Sequence, residues 1–407
     1  MTANSPAARH RTLSPWRTVV VFGLVSLFAD LVYEGARSIT GPLLGALGAS
    51  ALVVGVVTGA GEAMSLLLRL AFGPMADRTG RYWTLTLAGY ALTVVCVPLL
   101  AVTPALGAAG LAVACALILI ERAGKAVRSP AKSTLLARAA ATVGRGRGFG
   151  VHKALDQVGA FAGPLVVAAM IAATGVIWPA LAVLAVPGVA AILLLLWLRL
   201  RMPDPAPADH PVPAATPGLR GWLGGGLPRP FYRFAAAAAA ATGGLVTFGL
   251  ISYHASQTGQ VPLAAVPLLY SAAMAAGAVA ALASGHLYDR WGARVLYALP
   301  VLGAAAPALA LSAGTAAIVA GSVLWGAAVG VQDSTVKALV ADLVPAPRRA
   351  TAYGLFAAIQ GAAALAGGIL AGLLYERSLT LLIVVLALLQ LLAMVLLAFT
   401  TRAARRS

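Results

Sequence analysis

Charge is what this chain has least of. Its 407 residues hold 12 Asp and Glu and 29 Lys and Arg, so charged side chains make up 10%, where a soluble protein carries about a quarter. So little charge excludes an ordinary soluble domain of this length. Cysteine is nearly missing too. Cys96 and Cys115 lie within apolar segments, where two thiols more often fill space than form a disulfide. Histidine is scarce, and no Cys/His cluster suggests a metal site. There is no phosphate-cradling Walker loop, so ATP is not expected to drive the protein directly. Signatures of Ser-, Cys- or His-based catalysis are also missing. Neither enzyme activity nor a cofactor is expected.

What fills the chain instead is apolar. Hydrophobic residues make up 60% and the mean hydropathy is +0.91. Apolar runs near 20 residues recur along the whole length, which predicts an all-α, polytopic membrane protein. Residues 1–17 are polar and basic and lead into an apolar run with no small-residue cleavage site. A first transmembrane helix is expected there, and no cleaved leader. The reading places helices at 18–45, 51–73, 83–103, 108–128, 148–173, 177–199, 231–255, 262–285, 294–312, 315–338, 351–374 and 379–400.

The formal charge of +17 is distributed as topology. Connections near 46–50, 104–107, 174–176, 256–261 and 313–314 contain no Lys or Arg, whereas the alternate ones carry Arg78 and Arg81, Arg145 and Arg147, Arg290 and Arg294, and Arg348 and Arg349. That is the positive-inside pattern for an even number of spans with both termini in the cytoplasm. Glu376-Arg377 is the exception. The surplus therefore meets anionic lipid headgroups at a plasma (cell inner) membrane and is no nucleic-acid footprint. Residues 201–230 are rich in Pro and Gly and read as a cytoplasmic linker. It separates a bundle over 18–200 from one over 231–400, with tails at 1–17 and 401–407.

The two halves repeat each other. Gly73-Pro-Met-Ala-Asp77-Arg78-Thr-Gly80-Arg81 returns in degraded form as Gly285-His-Leu-Tyr-Asp289-Arg290-Trp-Gly292-Ala-Arg294, 212 residues on. Each copy is read as a loop joining two apolar segments. Phe149-Gly150 through Gly163 also aligns with Tyr353-Gly354 through Gly367, at an offset of 204. Parallel halves with twofold pseudo-symmetry around a central path are a transporter architecture.

Ionisable residues at bilayer depth are costly and usually functional. Counting along the helices at about 1.5 Å per residue puts Asp30, Glu62, Glu121 and Arg122 near the midplane. Glu34 and Arg37 follow Asp30 on one face, nearer the outside. Arg69, Lys125, Arg128, Lys153 and Asp156 fall in the cytoplasmic half, where the cations line a vestibule or snorkel to headgroups. The second half carries far fewer such groups. Its main polar residues are the Asp333 and Lys337 pair, Tyr253, His254, Tyr270, Gln332 and Gln360, with His254 read as a membrane-interface residue.

The repeated motif and the twelve-helix pattern resemble the major facilitator superfamily, over roughly residues 17–400. Residues 73–81 match that family's loop signature well and 285–294 more loosely. The resemblance implies two six-helix bundles working by alternating access, with a small-molecule substrate, protons and the bilayer as partners and a monomer as the working unit. It implies that Asp77 gates the cytoplasmic side by facing the N-terminus of the helix near 351, beside Arg348 or Arg349, with Asp289 in the equivalent place. It is also similar to drug–proton antiporters, which have an acidic residue in helix 1 and an Arg in a pattern close to Ile118-x-x-x-Arg122-x-Gly124. Asp30 or Glu34 would then carry the proton, with Arg122 as partner. Gly150, Gly159, Gly163 and Pro164 follow the antiporter signature of helix 5, although Val167-Ala168 replace its final glycines. Proton-coupled efflux of small amphipathic compounds is the expected function. Proton-coupled uptake of a small metabolite, suited by Arg122, Lys125 and Arg128 if anionic, and a lipid-handling transporter are the alternatives.

Overall fold

A computed structural model describes residues 13–202, 227–345 and 348–404. The linker over 203–226 and the ends of both tails lie outside the described residues. Among those described, the chain is helical with no strands. The N-terminal half comprises α1 (Pro15–Ser38), α2 (Thr40–Ala46), α3 (Ala51–Thr79), α4 (Tyr82–Leu99), α5 (Gly110–Ala139), α6 (Arg145–Thr174), α7 (Trp178–Val183) and α8 (Ala185–Arg201). The C-terminal half comprises α9 (Arg229–Gly243), α10 (Phe248–Gln257), α11 (Val266–Trp291), α12 (Ala298–Ala310), α13 (Thr315–Leu343), α14 (Arg349–Arg377) and α15 (Leu379–Ala404).

Among the described residues, ten stretches are long and apolar enough to cross a membrane. Two of them, Tyr82–Ala139 and Leu263–Ala310, run 58 and 48 residues, far beyond the roughly 20 that span a bilayer. Each turns inside itself at a glycine with positive φ, Gly107 (53°) and Gly292 (59°). The outer surface is apolar, with Leu282 78% exposed, as a lipid-facing surface requires.

Three expected helices are broken, each for a local reason. The helix read over 18–45 stops at Ser38 and resumes at Thr40. Pro42 has no N–H to give the Ser38 carbonyl. The helix over 177–199 breaks at Leu184, where Pro187 withholds the same bond from Val183. The helix over 231–255 parts after Gly243-Gly244, and Thr247 caps its second piece by accepting from Leu250 N at 3.4 Å. One loop is also corrected. Residues 73–79 are not a connection but the last two turns of α3, which Gly80 closes in the left-handed conformation (φ 63°). In the second copy Gly285–Trp291 is likewise the end of α11.

The halves meet along the seam of α3 with α14, along a shorter one of α6 with α11, where Ser271 Oγ donates to Phe161 O at 3.2 Å, and at one end. In the longer seam α3 lies against α14 with glycine on both sides. A Cβ on Gly55 would strike the Gly368 backbone, one on Gly59 the Ala364 carbonyl, and one on Gly372 the backbone at Ala51. Approach this close needs small residues. The end opposite the termini is closed further by α2 against α10, where Gly41 meets Gly249 and Tyr253. There Tyr253 OH donates to Ala49 O at 3.2 Å, and Leu52 N donates to Glu376 Oε1 at 3.0 Å. Toward the terminal end the described contacts thin to the seam, where Leu70 lies beside Gly354.

Candidate functional site

The charged residues of α1, α3 and α5 converge inside the N-terminal half. Arg37 Nη2 donates to Glu62 Oε1 at 2.6 Å, and Arg122 Nη1 stands 3.8 Å from the same oxygen. Arg122 Nε is 3.8 Å from Glu121 Oε2, and Arg37 Nη1 is 3.9 Å from Glu34 Oε2. Glu34, Glu121 and Arg122 are all buried. Tyr33 lies among these cations, with Lys125 Nζ 3.8 Å and Arg122 Cζ 4.5 Å from its ring centroid. Both distances suit cation–π attraction. Beside them lies a small cavity of about 20 Å³, bounded by Tyr33, Arg37, Cys96, Leu117, Glu121 and Arg122.

One member of this cluster comes from the other half. Tyr270 on α11 donates its hydroxyl to Glu34 Oε2 at 2.5 Å, and Arg37 Cζ lies 6.0 Å from its ring. Tyr270 is fully buried, edge-on to Phe248 with ring centroids 4.6 Å apart. Trp325 joins that aromatic group and donates to the Val246 carbonyl at 2.7 Å, inside the break between α9 and α10. Sequence reasoning ranked Tyr270 only among residual polar residues. The 236 positions separating it from Glu34 left no sequence signal for the pair.

Asp30 takes a different partner from the one expected. Its neighbour is Asp156 on α6, which accepts from Lys153 Nζ at 2.6 Å. The Arg122 pairing with Asp30 or Glu34 is therefore replaced. Arg122 has Glu62 and Glu121 as neighbours because its helix presents it toward α3. Nearer the terminal end, buried Ser26 receives Lys132 Nζ at 3.0 Å and lies 2.9 Å from His152 Nε2. This small network was not foreseen.

The remaining candidates are placed as follows. Arg128 is buried rather than snorkelling, donating to Thr93 Oγ1 at 2.6 Å, and Thr93 in turn donates to Glu121 at 3.1 Å. Arg69 is half-buried, and its Nε has no hydrogen-bond partner. Asp77 is exposed and accepts from Tyr82 OH at 3.1 Å, within its own half. Arg78, Arg81, Asp289 and Arg290 are exposed at the same end, and Gly73 has only Pro130 near it. Gly159 and Gly163 bring α6 onto the backbone of α1 at Leu27 and Leu31, whereas Gly150 faces open space; Pro164 lies inside α6. Gln332 and Gln360 both donate to Thr242 Oγ1 at 3.4 Å. Asp333 is exposed, and the Lys337 side chain lies outside the described residues. His254 is a correction. It is buried, with Nδ1 2.9 Å from Tyr375 OH, because α10 turns it into the C-terminal bundle.

Three comparisons bear on this geometry. The profile of the Major Facilitator Superfamily matches residues 22–259 and 233–407. Uncharacterized protein Rv2265 of Mycobacterium tuberculosis (strain ATCC 25618 / H37Rv) is 54% identical over 391 residues, 95% of this chain and 94% of its own. Uncharacterized protein Mb2288 of Mycobacterium bovis (strain ATCC BAA-935 / AF2122/97) matches equally. Among solved structures, the nucleoside transporter NupG is similar with a TM-score of 0.73 at 14% identity, over 96% of this chain and 99% of its own. A POT family transporter in complex with 5-aminolevulinic acid is similar with a TM-score of 0.76 at 11% identity, over 96% of each chain. A bacterial homologue of the human lysosomal transporter Spinster, inward-facing and unoccupied, has a TM-score of 0.66 at 15% identity, over 99% of this chain and 96% of its own. At these identities the structures share the fold alone. With profile matches over both halves, a helical membrane bundle and a buried charge cluster closed by a residue of the opposite half, the chain belongs to the Major Facilitator Superfamily.

Proposed function

We propose that the protein is a proton-coupled exporter of small amphipathic compounds, working by alternating access in a plasma membrane. Taking the two doubled stretches as two spans each gives twelve, with both termini in the cytoplasm, as the distribution of Arg and Lys supports. On that orientation the closed end faces outward, and the charge cluster is approached from the cytoplasm.

The observation that carries the reading is the hydrogen bond from Tyr270 to Glu34. A hydroxyl bonded to a carboxylate makes a stronger bond than one bonded to a neutral acid. The joint between the halves is therefore tighter with Glu34 ionised, and gain of a proton there loosens it. Linkage is reciprocal, so moving the halves apart also changes the affinity of Glu34 for that proton. Asp30 and Asp156, about one turn nearer the cytoplasm, offer a second pair of carboxyls along the same path. Arg37, Arg122 and Glu62 keep the embedded charges paired while this happens. The Gly159, Gly163 and Pro164 run of α6 supports export over uptake, by its resemblance to antiporters.

The test is reconstitution in liposomes with an imposed proton gradient and a screen of amphipathic compounds, comparing the native protein with Asp30→Asn and Glu34→Gln. Substrate moving opposite to protons, and lost in a variant, is the expected result. Movement in the same direction as protons would replace export by uptake. Indifference to the gradient would remove proton coupling.

A further inference from the structure

His254 on α10 is 3% exposed, and no step of the transport reading uses it. Its Nδ1 lies 2.9 Å from Tyr375 OH, and its Nε2 is buried without a hydrogen bond. The Ser312 carbonyl, just after α12, is the other polar group beside the ring. Among the described residues no carboxylate stands within 4 Å of either ring nitrogen. The charged groups that α14 brings to this end, Glu376 and Arg377, are both exposed, and α2 opposite carries no charged residue. Tyr253 is the other titratable group of α10. The bundle core at this end, with Leu311, Ile318 and Leu382, is apolar.

This histidine lies directly behind the contacts that close the end. Its ring meets that of Tyr375 edge-on with centroids 5.7 Å apart, and Tyr375 meets Tyr253 edge-on at 5.9 Å. Tyr253 donates across the halves to Ala49 O, and Glu376 accepts across them from Leu52 N. So the residue before His254 and the residue after its partner Tyr375 each hold the opposite half. The break between Gly243 and Thr247 separates α10 from α9, which lets α10 move as a unit.

A neutral imidazole has one donor and one acceptor nitrogen, so the single bond to Tyr375 suits it in either tautomer. With a second proton both nitrogens donate. Nε2–H then needs an acceptor, Tyr375 must turn its own hydrogen away from the ring, and a cation sits in an apolar core with no counter-ion. Such a charge is costly unless it is hydrated or paired. The closed end therefore holds the neutral ring better than the charged one, and by linkage a proton on the ring favours the open end. We propose that His254 is a proton-binding site that unlocks the end away from the termini, where its protonation swings α10 off α2 and parts Tyr253 from Ala49. The proposal rests on the transport reading only for the side this end faces, the outside.

Full-length protein in nanodiscs carries spin labels at Ala108 and Thr380, exposed residues of the two halves at this end. Double electron–electron resonance follows their separation from about pH 8 to about pH 5, a range that spans the ordinary titration of histidine and leaves exposed carboxylates mostly ionised. In the native protein the long-distance fraction is expected to rise at least about threefold on acidification. His254→Asn, whose amide can take the place of Nδ1 and stays neutral, is expected to remain closed throughout. Glu34→Gln is expected to keep the native response, so that failure of the proton-coupling reading leaves this result untouched. An equal rise in native protein and His254→Asn, or no rise in native protein, would overturn the proposal. So would an end already open at the alkaline limit in both His254→Asn and His254→Gln, which would make His254 a structural prop.

Discussion

The hydroxyl of Tyr270 lies 2.5 Å from Glu34 Oε2, so that a titratable group of the charged half touches the apolar half near the centre of the molecule. Tyr270→Phe removes that hydroxyl and leaves the ring packed on Phe248 and Trp325. Loss of a hydrogen bond to a charged group is worth about 1.5–3 kcal/mol, so gradient-driven transport should fall by about tenfold or more at unchanged expression. Transport within twofold of native, measured in proteoliposomes, would show that the contact is incidental.

A second joint lies at the end away from the termini. Glu376 on α14 accepts from Leu52 N, the first turn of α3, where an anion meets the positive end of the helix. Glu376→Gln weakens that contact, and the end should open more often. Spin labels at Ser50 and Thr258 should report a broadened, longer distance in Glu376→Gln. An unchanged distance distribution would remove Glu376 from the closure.

The motif at the end of α3 gives a separate outcome. Asp77 accepts from Tyr82 in this conformation, which leaves its expected role at the start of α14 to the alternate state, in which the terminal end is shut. Asp77→Asn should lower transport severalfold with normal membrane levels, and Tyr82→Phe should do much less. Equal losses in the two variants would make Asp77 a local cap of the turn.

The glycines of α6 differ in what they face, so they should differ in cost. Gly163→Ala would push a methyl group into the α1 backbone, and overpacking of this kind costs about 1–3 kcal/mol. Gly150→Ala meets nothing within 4 Å. Thermal unfolding in detergent should drop by several degrees for Gly163→Ala and stay near native for Gly150→Ala. The reverse order would contradict the α1–α6 packing.

Much of this arrangement was legible in the sequence because it repeats or has a period. Apolar runs marked the helices, and the paired Asp77 and Asp289 motifs marked the two halves. The breaks at Ile39 and Leu184 were signalled by Pro42 and Pro187, whose effect falls four residues upstream and so was easily missed. The convergence of Glu62, Glu121 and Arg122 followed from their common depth. Their pairing did not, because depth says nothing of helix rotation, and rotation gave Arg122 to Glu62 and Asp30 to Asp156. Contacts across the halves, Glu34 with Tyr270 and Leu52 with Glu376, depend on the docking of two bundles and leave no trace in local spacing. His254 was misplaced for a related reason. The break before Thr247 changes the direction in which α10 presents it.

The central claim is that the proton on Glu34 is read across the interface by Tyr270. The most direct measurement compares two modes of transport in proteoliposomes, using a compound found to be moved by the native protein. Substrate counterflow at equal pH requires the halves to rock but no net proton movement, whereas gradient-driven flux requires both. The account predicts that Glu34→Gln and Tyr270→Phe each retain counterflow and lose gradient-driven flux. Retention of gradient-driven flux in both variants, or loss of both modes together in properly folded protein, would contradict it.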